Sequence, residues 1–157
     1  MAERTPDREV RLIRVLLDTN VILDVLLNRE PWVTDAASLW RLCSEGTIAG
    51  HISASSFTDI YYIARRQTDR TRAKTALRLC LDTFAVCPID HHTLEMAYSL
   101  PGDDFEDNLQ VACSLLNGFD FIITRDVQGF AAAPIATATP DEFMQQWQLP
   151  RTDESNG

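Results

Sequence analysis

Glycine is scarce in this chain, six among 157 residues, and none lies in the Gly-rich turn that a dinucleotide site requires. The four cysteines, Cys43, Cys80, Cys87 and Cys113, include no CxxC pair and no Cys/His metal spacing. That excludes a zinc module and reads as reduced thiols packed in helices or strands. Long apolar runs are also missing. The stretch that begins at Leu12 is interrupted by Asp18, Asn20 and Asp24, too polar for a signal core or a membrane span, so a cytoplasmic location is expected. Positive charge is short as well: 14 basic residues against 23 acidic leave a net charge of -9, which on average counts against a nucleic-acid partner. The average conceals an uneven distribution. Arg65, Arg66, Arg70, Arg72, Lys74 and Arg78 crowd into residues 65–78, opposed there only by Asp69, so the molecule is electrically polarised.

With 45% hydrophobic and 24% charged residues, the composition is that of an ordinary globular domain. The length suits one domain over residues 10–149, with flexible termini at 1–9 and 150–157. Leu12–Leu17 is a near-continuous apolar run of strand length, as in a parallel strand buried on both faces. Asn20 is placed to cap a helix with apolar positions Val21, Ile22, Val25 and Leu26. A helix follows from Thr34 to about Glu45, with Ala37, Trp40 and Leu42 inward and Gly46 as its stop. Thr47–Ile52 reads as a strand, and Ser53–Ser56 as the cap of a helix carrying Asp59. Asp69 caps the next helix, its inward stripe Ala73, Ala76, Leu77 and Leu81. Phe84–Pro88 is a short strand, Asp90 caps a helix to Leu100, and a further helix spans Phe105–Leu116. Asp120–Thr124 is a fourth strand, Ile135–Thr137 a possible edge strand, and Pro140–Trp147 a last helix. Helices alternating with strands predict a three-layer α/β/α sandwich around a central, mostly parallel sheet.

Acids recur at the ends of these elements. Asp18 closes the first apolar run, Asp59 lies in a helix, Asp103, Asp104, Glu106 and Asp107 cluster before another, and Asp126 follows the fourth strand. Open α/β sheets keep their sites at the carboxyl ends of the strands. Hard divalent cations want a few oxygen ligands and keep several waters, so carboxylates from separate elements suit them. Crowded carboxylates repel one another unless a cation sits among them. Each acid also has a plainer reading: Asp104 and Glu106 as dipole-favoured residues of a helix N-terminus, Asp126 as a turn residue, Asp59 on a solvated face. Asp18, at the tip of a buried strand, is the hardest to explain that way.

The segments Leu17-Asp18-Thr19-Asn20-Val21-Ile22-Leu23-Asp24, Ile52-Ser53-Ala54-Ser55 with Asp59, Asp104-Phe105-Glu106-Asp107-Asn108-Leu109-Gln110 with Ala112, and Ile123-Thr124-Arg125-Asp126 together resemble a PIN domain. The resemblance covers about residues 12–148. It implies a metal-dependent endoribonuclease with Mg²⁺ or Mn²⁺ as cofactor and RNA as substrate. It further implies the toxin half of a VapC-type toxin–antitoxin pair, with an antitoxin partner and a homodimer. Position by position, Asp18, Asp59, Asp107 and Asp126 match the family's acidic quartet. Asp104 matches an auxiliary acid, and Asp24 an acid that one branch keeps after its first motif. The implied metal ligands are Asp18, Asp107, Asp126 and Asp104. Thr19, Asn20 and Thr124 match residues that position ligands or phosphate. Asp59 departs from the commoner pattern, where most members carry Glu.

Beside the resemblance, the arginine band headed by Arg65 and Arg66 reads either as a solvated helical surface or as a track for the RNA backbone, with salt-dependent binding. His51, His91 and His92 read as structural or solvated. Metal-activated water needs no Ser, Cys or His nucleophile. Phosphotransfer domains of the response-regulator or haloacid type also carry an Asp at a strand tip, but both use a lysine after a later strand. The only lysine here is Lys74, mid-helix, and the second acid of the haloacid motif is replaced by Asn20. A second alternative is a PIN fold that binds RNA or a protein without cleaving it.

Overall fold

A computed structural model describes residues 11–147; the expectations for residues 1–9 and 150–157 lie outside the described residues. Five strands are present: β1 (Arg14–Leu17), β2 (Ala49–Ser53), β3 (Ala85–Cys87), β4 (Phe121–Ile123) and β5 (Thr137–Ala138). Around them run α1 (Thr19–Leu26), α2 (Val33–Ser44), α3 (Ser56–Gln67), α4 (Arg70–Thr83), α5 (His91–Ser99), α6 (Phe105–Asn117) and α7 (Pro140–Gln146). All strand pairs are parallel, in the order β3-β2-β1-β4-β5. This is the three-layer α/β/α architecture expected from the alternation of helices and strands.

The period-2 geometry of a strand explains the two cores. Val15 and Leu17 of β1 and Ile123 of β4 face a cluster completed by α1, α2, α3, α4 and α7, with Ile22, Leu39, Ile60 and Phe143 at its centre. The intervening Leu16 and Ile122 face the opposite side, against Val111 and Cys113 of α6 and Phe119. β1 is therefore buried on both faces, which is why its sequence is apolar without alternation. The order of the strands matters for function. The chain starts in the centre at β1, builds outward to β3, then returns past β1 to lay down β4. Reversal of this kind leaves a crevice at the carboxyl ends of the two strands that flank it. Asp18 follows β1 directly, and Thr124 to Asp126 follow β4.

Several local expectations shift. Asp18, not Asn20, caps α1: its side chain accepts from the Thr19 backbone N–H and its backbone is extended. Asn20 lies exposed in the first turn. In α2 the fully buried positions are Ala36, Leu39 and Cys43 rather than Ala37, Trp40 and Leu42, although Trp40 and Leu42 still pack against the rim of the core. Leu81 of α4 is exposed and Cys80 takes the inward place, because α4 contacts mainly α3 and presents only a narrow stripe. The edge strand is displaced to Thr137–Ala138. Asp69 and Asp90 cap α4 and α5 as expected, the latter in a capping box with Thr93. Gly118 ends α6 with φ +65°, a left-handed conformation that favours glycine. All four cysteines are free and buried, and burial pushes the Cys43 and Cys80 thiols up to about 12.

Gly50 shows how closely α2 lies on the sheet. A Cβ there would stand 2.6 Å from Cys43 Sγ and 2.9 Å from Phe84 Cδ1. Gly50→Ala is expected to cost about 1–3 kcal/mol by overpacking, read as a lower melting temperature in chelator by circular dichroism. An unchanged melt would mean that this contact yields freely.

Candidate functional site

Asp18 is the best-anchored acid of the crevice. It is 8% exposed, and three donors hold its carboxylate. Oδ1 accepts from the Thr19 N–H at 2.7 Å and from Gln110 Nε2 at 2.9 Å, and Oδ2 accepts from the Thr124 hydroxyl at 2.8 Å. Thr124, itself fully buried, also accepts from the Asp126 N–H at 3.0 Å. Thr19 donates to Ser56 Oγ at 2.9 Å, tying the start of α1 to the start of α3. A single carboxylate thus joins β1, α1, α6 and the end of β4.

The other acids arrive from the first turns of helices. Asp104 caps α6 by accepting from the Asp107 N–H at 3.0 Å. Asp126 caps a 3₁₀ turn over Val127–Phe130, its Oδ1 accepting from the Gly129 N–H at 3.1 Å. A Cβ built on Gly129 would lie 2.7 Å from Asp126 Oδ2 and 3.4 Å from Asp107 Oδ2, so this glycine lets the two carboxyls approach. Burial pushes the Asp107 carboxyl up to about 6, with the negative charges of Asp104, Asp18 and Asp126 adding to the effect. Glu106 is pushed up to about 7, first by burial, then by a hydrogen bond to Asp59 and by the charges of Asp59, Asp104 and Asp18. Glu106 thus stands beside Asp59, at the start of α6 and of α3 respectively.

Asp18, Asp59, Asp104, Asp107 and Asp126 thus form one acidic neighbourhood at this end of the sheet, with Thr19 and Thr124 buried against Asp18. Arg65 and Arg66 do not share it. They are exposed in the last turn of α3, about 9–10 Å along the helix from Asp59. Among the described residues, no group of three or more acid, histidine or cysteine side chains is placed to hold a metal ion as the side chains stand. The acids interact at the range of charge repulsion. Their donor set is all oxygen, which fits a hard divalent cation that retains waters.

A PIN domain family model matches residues 14–128. The chain belongs to the PIN domain family. The match spans β1 to the 3₁₀ turn and includes all of the acids above. The fold is similar to that of DNA-bound VapBC from Salmonella typhimurium, with TM-score 0.65, 14% identity, and coverage of 82% of this chain and 99% of that one. It is also similar to VapC20 of Mycobacterium tuberculosis, a Sarcin-Ricin loop cleaving toxin, with TM-score 0.64, 16% identity, and 75% and 94% coverage. A toxin–antitoxin complex from Klebsiella pneumoniae gives TM-score 0.61, 23% identity, and 80% and 97% coverage. No curated protein matches the sequence.

Two members of this PIN-domain crevice were not assigned from sequence: Glu106, read as a helix-end acid, and Gln110, noted only as part of a motif. A signal for both was present. Glu106 and Asp107 lie four and three residues before Gln110, so all three share a face of α6. Asp24 takes a different place. It is wholly buried in α1, where its carboxylate stands 2.8 Å from Arg125 Nε and 3.8 Å from an Arg29 nitrogen. Burial raises its pKa and the two guanidiniums oppose that rise.

The raised carboxyls set a pH dependence. The folded chain holds protons on Asp107 and Glu106 more tightly than the unfolded chain, whose ordinary values are 3.8 and 4.5. The stability they contribute is complete below those values and is lost as pH rises through about 6 and about 7. In chelator, the melting temperature is expected to fall from about pH 5 to about pH 7.5, with a shallower fall in Asp107→Asn. A melt that rises over that interval and is unaffected by the substitution would contradict this electrostatic picture.

Proposed function

We propose that this PIN domain is a metal-dependent endoribonuclease that hydrolyses RNA phosphodiester bonds as the toxin of a toxin–antitoxin pair. The observation that carries the reading is the approach of the Asp107 and Asp126 carboxyls across Gly129, near Asp18 at the tip of β1, a cluster whose repulsion a cation would relieve. Asp18, Asp107 and Asp126, with Asp104 beside them, would hold Mg²⁺ or Mn²⁺. When bound, such an ion lowers the pKa of a coordinated water and neutralises charge on the phosphoryl oxygens.

The chain's own groups have distinct parts. Gln110 and Thr124 orient the Asp18 carboxylate. Glu106, beside Asp59, is assigned the part of an acid that gives a proton to a departing oxygen. Glu106 also supplies a longer carboxyl beside Asp59, at the position where Asp replaces the commoner Glu. Thr19 and Asn20, at the start of α1, are assigned to phosphate positioning. Arg65 and Arg66, exposed at the far end of α3, are assigned to the RNA backbone outside the crevice.

The similar folds of VapBC and other toxin–antitoxin proteins support an antitoxin partner. Leu94 and Tyr98, 42% and 86% exposed one turn apart on α5, supply apolar surface for a homodimer. We assign residues 10–149 to a single domain. No helix among the described residues is long and apolar enough to cross a membrane; a cytoplasmic location is part of this proposal.

RNA cleavage is expected in Mg²⁺ or Mn²⁺ and not in EDTA, and Asp18→Asn is expected to lower the rate by roughly 100-fold or more, as when one preorganised electrostatic group is removed. RNA bound but uncut by the wild type in either metal would favour the alternative, a PIN fold that binds without cleaving.

A further inference from the structure

The end of β4 is held at three points by three consecutive residues. Thr124 makes the last sheet hydrogen bond, to the Ala138 carbonyl, and donates its hydroxyl to Asp18. Asp126 turns into the crevice toward Asp107. Arg125, between them, turns the other way, toward Asp24. Its guanidinium lies 2.8 Å from Asp24 Oδ2 and its central carbon 3.9 Å from the centre of the Trp32 ring. The two contacts hold the guanidinium between them, one by charge and one by the electron-rich face of the indole.

Asp24 itself is an expensive group to bury. Its side chain is 1% exposed, and neither carboxylate oxygen makes a well-aligned hydrogen bond, so charge pairing alone compensates its desolvation. Arg29 provides the second cation. Asn28, at φ +52°, turns the chain back so that the Arg29 N–H reaches the Asp24 carbonyl while its guanidinium comes to 3.8 Å from the carboxylate. Asp24 and Asp18 belong to the same helix end and body, six residues or about 9 Å apart along α1. One rigid element therefore grips the β4 end twice, through Thr124 and through Arg125.

We propose that the Asp24–Arg125 ion pair, steadied by Trp32, is a positioning device that sets where the Asp126 carboxylate stands relative to Asp18 and Asp107, and thereby sets the affinity of the crevice for a divalent cation. The inference rests on the proposed metal-binding reading of those three acids and deepens it. Asp24 and Arg125 touch neither substrate nor metal and act through the backbone joined to Asp126. Arg29 reaches the same carboxylate but has no such link, so it serves burial of Asp24 alone.

That difference provides the test. Mn²⁺ binding is measured by titration calorimetry on wild type, Asp24→Asn, Arg125→Lys, Arg29→Gln and Asp107→Asn, with a cooperative thermal melt recorded for each. Asp24→Asn and Arg125→Lys are expected to weaken Mn²⁺ roughly tenfold or more, the usual effect of losing a group that orients a metal ligand. Arg29→Gln is expected to lower the melting temperature and leave Mn²⁺ affinity unchanged. Arg125→Lys keeps the charge and loses the planar fork, so it reports on positioning even where Asp24→Asn folds poorly. The positioning role is overturned where wild type binds Mn²⁺ and Arg125→Lys binds it equally well, or where Arg29→Gln weakens it to the same degree. Wild type that takes up no Mn²⁺, with Asp107→Asn indistinguishable from it, overturns the metal-site reading itself and this inference with it.

Discussion

The carboxylate of Asp18 accepts hydrogen bonds from the N-terminal turn of α1, from Gln110 of α6 and from Thr124 beyond β4, and the arrangement of the crevice depends on that convergence. These elements are far apart in sequence and lie on different layers of the sandwich. A buried carboxylate without donors is costly, so the chain satisfies this one from each direction that opens onto it. The donors that satisfy Asp18 also bring α6 and the β4 end, with Asp107 and Asp126, to the same place. Folding energetics and site assembly are here the same set of contacts.

The topology makes that convergence available. β1 is the first strand formed along the chain and lies in the middle of the sheet, between β2 and β4. The reversal of strand order on either side of it opens the crevice at its carboxyl end. Into this opening come three helix-like N-termini: α1 capped by Asp18, α6 capped by Asp104, and the 3₁₀ turn capped by Asp126. Acids at such positions are favoured by the helix dipole and by unsatisfied N–H groups. Each is locally stabilised as a cap, and together they repel. Burial raises the Asp107 and Glu106 carboxyls, and the charges of these neighbours add to the rise. The plain reading of these acids as helix caps and the functional reading are therefore both correct for Asp18, Asp104 and Asp126.

Charge is divided on the molecule in the same way. The acids turn into the crevice, while the cations of residues 65–78 stay on the exposed side of the α3–α4 hairpin, where Arg72 pairs with Asp69 and Arg78 with Asp82. Arg125, next to Asp126 in the chain, and Arg29 both pair with Asp24. The interior of the site is left acidic, and its structural supports are neutralised from behind.

Much of this was legible in the residues in order. The unalternating run before Asp18 signalled a strand buried on both faces, and alternating periodicities signalled the parallel sandwich. Asp69, Asp90 and Gly46 marked helix ends, because capping is local chemistry between residues a few positions apart. The acids of the crevice were legible as residues that end elements. What the order of residues could not supply was facing. Cys80 rather than Leu81 turns inward because α4 packs mainly on α3; Glu106 meets Asp59 because α6 and α3 lie across from each other; Asp24 turns to Arg125 and away from the crevice. Periodicity determines which side chains share a face of their own element, a property of backbone geometry within a few residues. Which group stands opposite that face is set by strand order and interlayer packing, and those arise from the simultaneous burial of both sides of the sheet.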